Sequence, residues 1–174
     1  LSSLLKVDDL ITYAKKSNIS SIALTDTNMY ATMEFINKCH KEDIKPIIGL
    51  HLLLEDFTIV LYAKNYRGYK SLIKLSTIQN ERQVTVEDLS TYNQEVIATL
   101  PYESRSKYQE LQTIYPELYQ GYTTKSQATE TLLITKNIVF FRESLYLTKN
   151  DEDILPYLYK IRDGKTLSDD VVYE

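Results

Sequence analysis

Apolar side chains recur every three to four residues at Val7, Leu10, Ile11 and Ala14 while Asp8, Lys15 and Lys16 take the remaining face, which predicts an amphipathic helix over 7–17. Asn18 is its natural stop. Ile19 to Leu24 is a short apolar and β-branched run ahead of Thr25-Asp26-Thr27-Asn28, the pattern of a strand that empties into a polar loop. A second helix is expected over 30–42, with Met33, Ile36 and Cys39 along one face. Ile44 to Leu54 is too continuously apolar to have a wet face, as expected of a parallel sheet covered by helices. Glu55-Asp56 then reads as a hairpin-like turn into a strand from Phe57 to Ala63, and Tyr69, Leu72, Ile73 and Leu75 mark a helix after Gly68.

The second half keeps the same rhythm. Strands are predicted at Val96 to Leu100 and Leu118 to Tyr122, with a helix from Ser104 to Ile114 between them and a short helix from Ser126 to Glu130 after them. Leu132 to Thr135 and Ile138 to Phe141 are further strand candidates. A last helix is expected from Asp151 to Arg162, capped by Asn150 with Asp153 three residues on, bent at Pro156 and closed by Gly164. Alternating strands and helices of this size predict an α/β barrel or an open doubly wound sheet. In a barrel the working residues follow the carboxyl ends of strands, which is where Asp26 falls.

Composition adds bounds. A chain of 174 residues with 43% apolar content can build a real core, and a formal charge of -4 from 20 basic against 24 acidic residues gives no electrostatic footprint of the kind that neutralises many phosphates, so this segment is not expected to be the main contact of a nucleic-acid partner. Fifteen tyrosines could stack bases, yet they are scattered without a basic stripe, so packing at the core edge is the expectation. Cys39 alone excludes an internal disulfide and a multi-thiolate zinc cluster and is expected to be a buried structural thiol. No apolar run is long enough to span a bilayer and no signal peptide is visible, so a cytoplasmic protein with no membrane partner is expected. Leu1 is not a methionine, and residues 1–174 read as one domain trimmed from something longer.

Three stretches carry a specific likeness. Ala23-Leu24-Thr25-Asp26 with Asn28-Met29-Tyr30, followed by Ile44-Lys45-Pro46-Ile47-Ile48-Gly49, resembles the polymerase and histidinol phosphatase (PHP) domain of bacterial DNA polymerase III alpha subunits. Leu61-Tyr62-Ala63-Lys64-Asn65 with Gly68-Tyr69 and Leu72 resembles the family's next strand and helix. Tyr146-Leu147, Asp151, Asp153 and Ile161-Arg162-Asp163-Gly164-Lys165-Thr166-Leu167 resemble its closing segment.

The resemblance implies a distorted (β/α)7 barrel that in active members holds up to three metal ions and hydrolyses phosphoesters, the ions acidifying a bound water and clamping phosphoryl oxygens. It also implies that this copy is degenerate. Where the family has Thr-Asp-His, this chain has Thr25-Asp26-Thr27; where a glutamate follows Ile-Gly by two residues, it has His51; and the late Asp-x-His pair corresponds to Glu143 and Leu145. Threonine is a poor metal ligand and leucine is none. The expectation is a non-catalytic scaffold without a metal of its own, inside a replicative DNA polymerase whose magnesium-dependent chemistry lies elsewhere.

Its expected partners are the other polymerase domains, a proofreading exonuclease subunit, other replisome subunits, and DNA through the parent protein. The competing reading is a zinc- or manganese-dependent phosphoesterase or 3′-to-5′ exonuclease within the domain. Two residues stay open at this level: Asp26 could ligate metal, cap the following helix or pair with a cation, and His51 could be a substitute ligand or hydrogen-bonded packing. His40 beside Lys41 near a helix end is expected at the surface.

Overall fold

In the computed structural model, residues 6–142 and Ser144 are described. Six strands form one curled sheet in the order of the sequence. They are β1 (Ser21–Leu24), β2 (Lys45–Leu53), β3 (Thr58–Ala63), β4 (Val96–Leu100), β5 (Leu118–Tyr122) and β6 (Ile138–Phe140). The helices are α1 (Val7–Lys16), α2 (Thr32–Lys41), α3 (Tyr66–Glu81), α4 (Val86–Thr91), α5 (Tyr108–Gln112) and α6 (Lys125–Leu132). The predicted last helix, with its Asn150 cap, Pro156 bend and Gly164 stop, lies outside the described residues.

Each turn of the chain has a local cause. Asn18 and Asp43 sit at φ 53° and 55°, and the following residues bond back into the helices, Ile19 N–H to the Ala14 carbonyl at 2.9 Å and Ile44 N–H to the Cys39 carbonyl at 3.0 Å. These closures stop α1 and α2 and aim β1 and β2 side by side. β1 and β2 run parallel with Leu24 opposite Ile48, whereas β3 is antiparallel to both β2 and β4; β4, β5 and β6 are parallel again. The expectation of a parallel surround for β2 therefore holds on one side only. Ile48, Gly49 and Leu50 are buried in succession because helices cover one face and the curl of the sheet closes over the other.

Several predicted faces and boundaries shift. On α2 the buried stripe is Thr32, Phe35 and Cys39 with Ile36 packed beside it, while Met33 is 57% exposed, because it lies about 100° round the helix from Thr32. The helix expected after Gly68 starts at Tyr66, where Asn65 accepts the N–H groups of Arg67 and Gly68. The helix expected from Ser104 to Ile114 divides into a 3-10 stretch over Tyr102–Lys107 and the short α5. Leu132 to Thr135 forms no strand: Leu133, Ile134 and Thr135 donate back to Glu130 and Thr131, so the segment is the unwinding end of α6. Helix α4 was not legible from apolar spacing, although Thr85 and Asp88 form a full capping box ahead of it.

The core is one cluster between the sheet and its helices, centred on Phe35, Leu50, Leu61, Leu72, Leu100 and Leu111. Cys39 is fully buried within it, and burial pushes its thiol pKa up, so it packs as an apolar side chain. The tyrosines divide between roles: Tyr108 and Tyr115 are buried in the core, while Tyr30 and Tyr66 are exposed. Among the described residues, no helix is long and apolar enough to cross a membrane.

Candidate functional site at the carboxyl ends of the strands

The β1–β2 ladder continues one step beyond the end of β1, with the His51 N–H donating to the Asp26 carbonyl at 3.0 Å. Asn28 Oδ1 then accepts the Tyr30 N–H at 3.1 Å and turns the loop toward α2. Gly49 makes this close approach feasible. A Cβ there would stand 2.8 Å from Thr25 Cγ2 and 3.0 Å from the Leu61 carbonyl oxygen, so the Ile-Ile-Gly run ends in glycine for a steric reason.

Asp26, Thr27 and His51 are thus brought together by backbone and by one further side chain. Gln79, near the end of α3, donates from Nε2 to the Thr27 carbonyl at 2.7 Å and to the His51 carbonyl at 3.2 Å, and its Oε1 accepts the Leu53 N–H at 3.1 Å. One amide locks the loop after β1 to the far end of β2. Asp26 is exposed at this rim, yet the protein around its carboxyl desolvates it and raises its pKa above 3.8. The residue does not cap α2, whose N-cap is Ala31 without a side-chain bond, and it forms no ion pair among the described residues. His51 is half-buried.

His51 opens onto a cleft of about 300 Å³ lined also by Thr58, Pro101, Glu103, Thr123, Phe141 and Arg142. The positions of these residues identify it as the mouth of the curled sheet: Pro101 follows β4, Thr123 follows β5, and Phe141 and Arg142 follow β6. Its walls are held from several elements. Ser104 accepts the Thr58 N–H at 3.0 Å, Thr123 donates N–H and hydroxyl to Gln127 at 2.8 and 2.7 Å, and buried Gln120 donates to the carbonyls of Leu100 and Pro101 at 3.1 and 3.0 Å.

The mouth brings a histidine, a carboxylate and a guanidinium to one cleft, which suits a small polar or anionic ligand. Asp26 and Thr27 lie on its β1 side and are not among the lining residues. Glu143 and Leu145 lie outside the described residues. Sequence reasoning missed Gln79, Glu103 and Arg142; the last two could have been found by asking which charged residues immediately follow predicted strands. Among the described residues no three His, Cys, Asp or Glu side chains stand close enough to hold a metal ion. At the β1 rim Asp26 offers a carboxylate and Thr27 a hydroxyl, and a hydroxyl is a poor metal donor.

A curled six-stranded α/β sheet whose strand ends converge on a polar mouth forms a half-barrel, and the chain belongs to the PHP domain family, which matches residues 1–147. Similar proteins include the DNA polymerase III subunit alpha of Staphylococcus epidermidis, 32% identical over all of this chain and 16% of the relative. The subunit of the same name from Ureaplasma parvum is 42% identical over 51% of this chain and 9% of the relative, and that of Bacillus subtilis is 32% identical over 58% and 10%. The chain therefore spans about a sixth or less of the length of these relatives.

Proposed function

We propose that residues 1–174 are the PHP domain of a bacterial DNA polymerase III alpha subunit, a DNA-directed DNA polymerase, and that in this protein the domain is an architectural module that has lost metal chemistry. The relatives bear that name across the whole of this chain and are far longer than it. On this reading the curled sheet belongs to a distorted (β/α)7 barrel, and nucleotide transfer with magnesium takes place in another domain of the same cytoplasmic polypeptide. A proofreading exonuclease subunit and other replisome subunits are the external partners, and DNA is met through the parent protein.

The observation that carries the scaffold reading is the donor set at the β1–β2 rim. Thr27 offers a hydroxyl where the family has an imidazole, and the Thr27 and His51 carbonyls are spent on Gln79, a structural tie between β1, β2 and α3.

Ile48→Asp places a carboxylate in the core and tests the proposal in the full-length polymerase. Loss of thermal stability together with loss of primer extension is expected, and retention of both would refute the scaffold role. The exonuclease reading draws on the desolvated Asp26 beside the His51 cleft. Stoichiometric zinc or manganese in the full-length protein, lost together with exonuclease activity on Asp26→Ala, would decide for it.

A further inference from the structure

A second cleft lies away from the mouth. It holds about 510 Å³ and is lined by Arg67, Lys70, Ser71 and Lys74 of α3 together with Tyr92 and Gln94 from the turn after α4. The strand register puts it at the opposite end of the sheet, since α3 begins just after Ala63, which pairs with Val96 at the start of β4, whereas the mouth lies beyond Leu100 at its end. It is thus distinct from the site described above.

Three of its six lining residues are cations and none is acidic, and Arg67, Lys70 and Lys74 form no ion pair among the described residues. In a protein with acids in excess, three cations on one concavity with no acid in its lining present a surface complementary to an anionic ligand. The cleft is also pre-organised: Arg67 Nε donates to Gln94 Oε1 at 2.9 Å, and the Ser71 hydroxyl donates to the Gln94 carbonyl at 3.3 Å. The Arg67 guanidinium is thereby held while the rest of its donors stay available.

Aromatic faces flank the cations. Tyr92 forms part of the wall, and Tyr66, 70% exposed, lies one turn from Lys70, whose ammonium stands 4.9 Å from the ring centroid. Arg67, Lys70 and Lys74 cover about 10 Å of helix, a length that meets a few consecutive charges of a polyanion. Cations for a backbone beside tyrosine faces for bases is the combination that single strands use and that a duplex, with its bases stacked away, does not. An acidic peptide would satisfy the cations and leave the aromatic face idle.

We propose that the α3–α4 cleft binds the backbone of single-stranded nucleic acid, with Arg67, Lys70 and Lys74 on phosphates and Tyr66 stacking a base. The site is independent of the scaffold reading, because its residues are not those that hold the core together.

The test titrates the complete natural chain carrying this domain with a labelled oligothymidylate over a salt series. Arg67→Gln/Lys70→Gln/Lys74→Gln is expected to weaken binding about tenfold at low salt and to lower the slope of log affinity against log salt by about 2, at roughly 0.7 per contacted phosphate. Tyr66→Ala should weaken the single strand about fivefold and leave a duplex of the same length unaffected. Lys16→Gln/Lys41→Gln/Lys45→Gln, with the same change of charge on another surface, should alter neither quantity. A photo-crosslinking residue at Lys74 in the otherwise native protein should trap the oligonucleotide, which gives a readout even if the triple variant folds poorly. The proposal is overturned if the control variant matches the cleft variant, if no crosslink forms at Lys74, or if a polyglutamate peptide of equal charge displaces the oligonucleotide at equal concentration, which would make the occupant an acidic protein segment.

Discussion

Gln79 reaches the carbonyl of Thr27 at 2.7 Å across 52 positions of sequence, and the same amide accepts the Leu53 N–H at 3.1 Å. The end of α3 is thereby tied to both loops that form the β1–β2 rim. The rim keeps its shape through a neutral side chain that no search for ligands or catalytic groups would select.

Removing that amide should loosen the rim. Gln79→Leu leaves the Leu53 N–H without its acceptor and the Thr27 carbonyl without its donor, and because water reaches both exposed groups the destabilisation is about 0.5–1.5 kcal/mol. Gln79→Glu should fare no better, since it sets a carboxylate against two carbonyls. Chemical denaturation gives the energy, and amide exchange at Leu53 should quicken in Gln79→Leu; unchanged exchange in that variant would rule out the clasp.

Gly68 lies inside α3 because its missing side chain admits the Glu95 carbonyl, which would stand 2.1 Å from a Cβ. That carbonyl also accepts the Lys64 N–H at 3.0 Å, and Glu95 itself sits at φ 55°, so the contact cannot yield cheaply. Gly68→Ala should cost about 3 kcal/mol despite alanine's better helix propensity. A melting temperature equal to or above wild type would show that the helix can slide away from β4.

Asp88 should confer an acid-dependent component of stability. Both its oxygens accept from Arg82 at 2.7 Å, and Thr85 adds N–H and hydroxyl bonds at 2.9 Å, which together hold the carboxyl well below the ordinary 3.8. A depressed folded pKa means that the stabilisation is complete above the unfolded value and fades as pH falls below 3.8 toward the folded one. Asp88→Asn should therefore be less stable than wild type by about 1 kcal/mol near neutrality, with the gap shrinking below about pH 4. Paired denaturation curves across that range check both the size and the slope.

Asp26 should behave in the opposite sense. Desolvation raises its folded pKa, so the folded chain holds that proton more tightly than the unfolded one and ionisation at neutral pH costs stability. Asp26→Asn should be slightly more stable than wild type at about pH 7, by no more than about 0.5 kcal/mol for so exposed a side chain, and the advantage should close as pH falls to 3.8 and below. A less stable variant at neutral pH would mean that the carboxylate has a stabilising partner.

Local pattern determined much of this protein. The 3.6-residue period drew α1 and α2, continuous apolar runs drew β2 and β3, and β4 and β5 were legible to the residue, because each depends on neighbours within a few positions. The family likeness rested on the same local signals, with Asp26 at a strand end and Gly49 and Gly68 where another segment comes too close for a Cβ. Tertiary structure alone decided the rest. The antiparallel pairing of β3 with β4, the clasp of Gln79 on Thr27, the meeting of His51 with Glu103 and Arg142, and the gathering of Arg67, Lys70 and Lys74 against Tyr92 all join residues distant in sequence. Hydrophobic periodicity reports which face of an element is buried; it does not report which other element covers that face, and charges and hydrogen bonds at a site are set by that second fact.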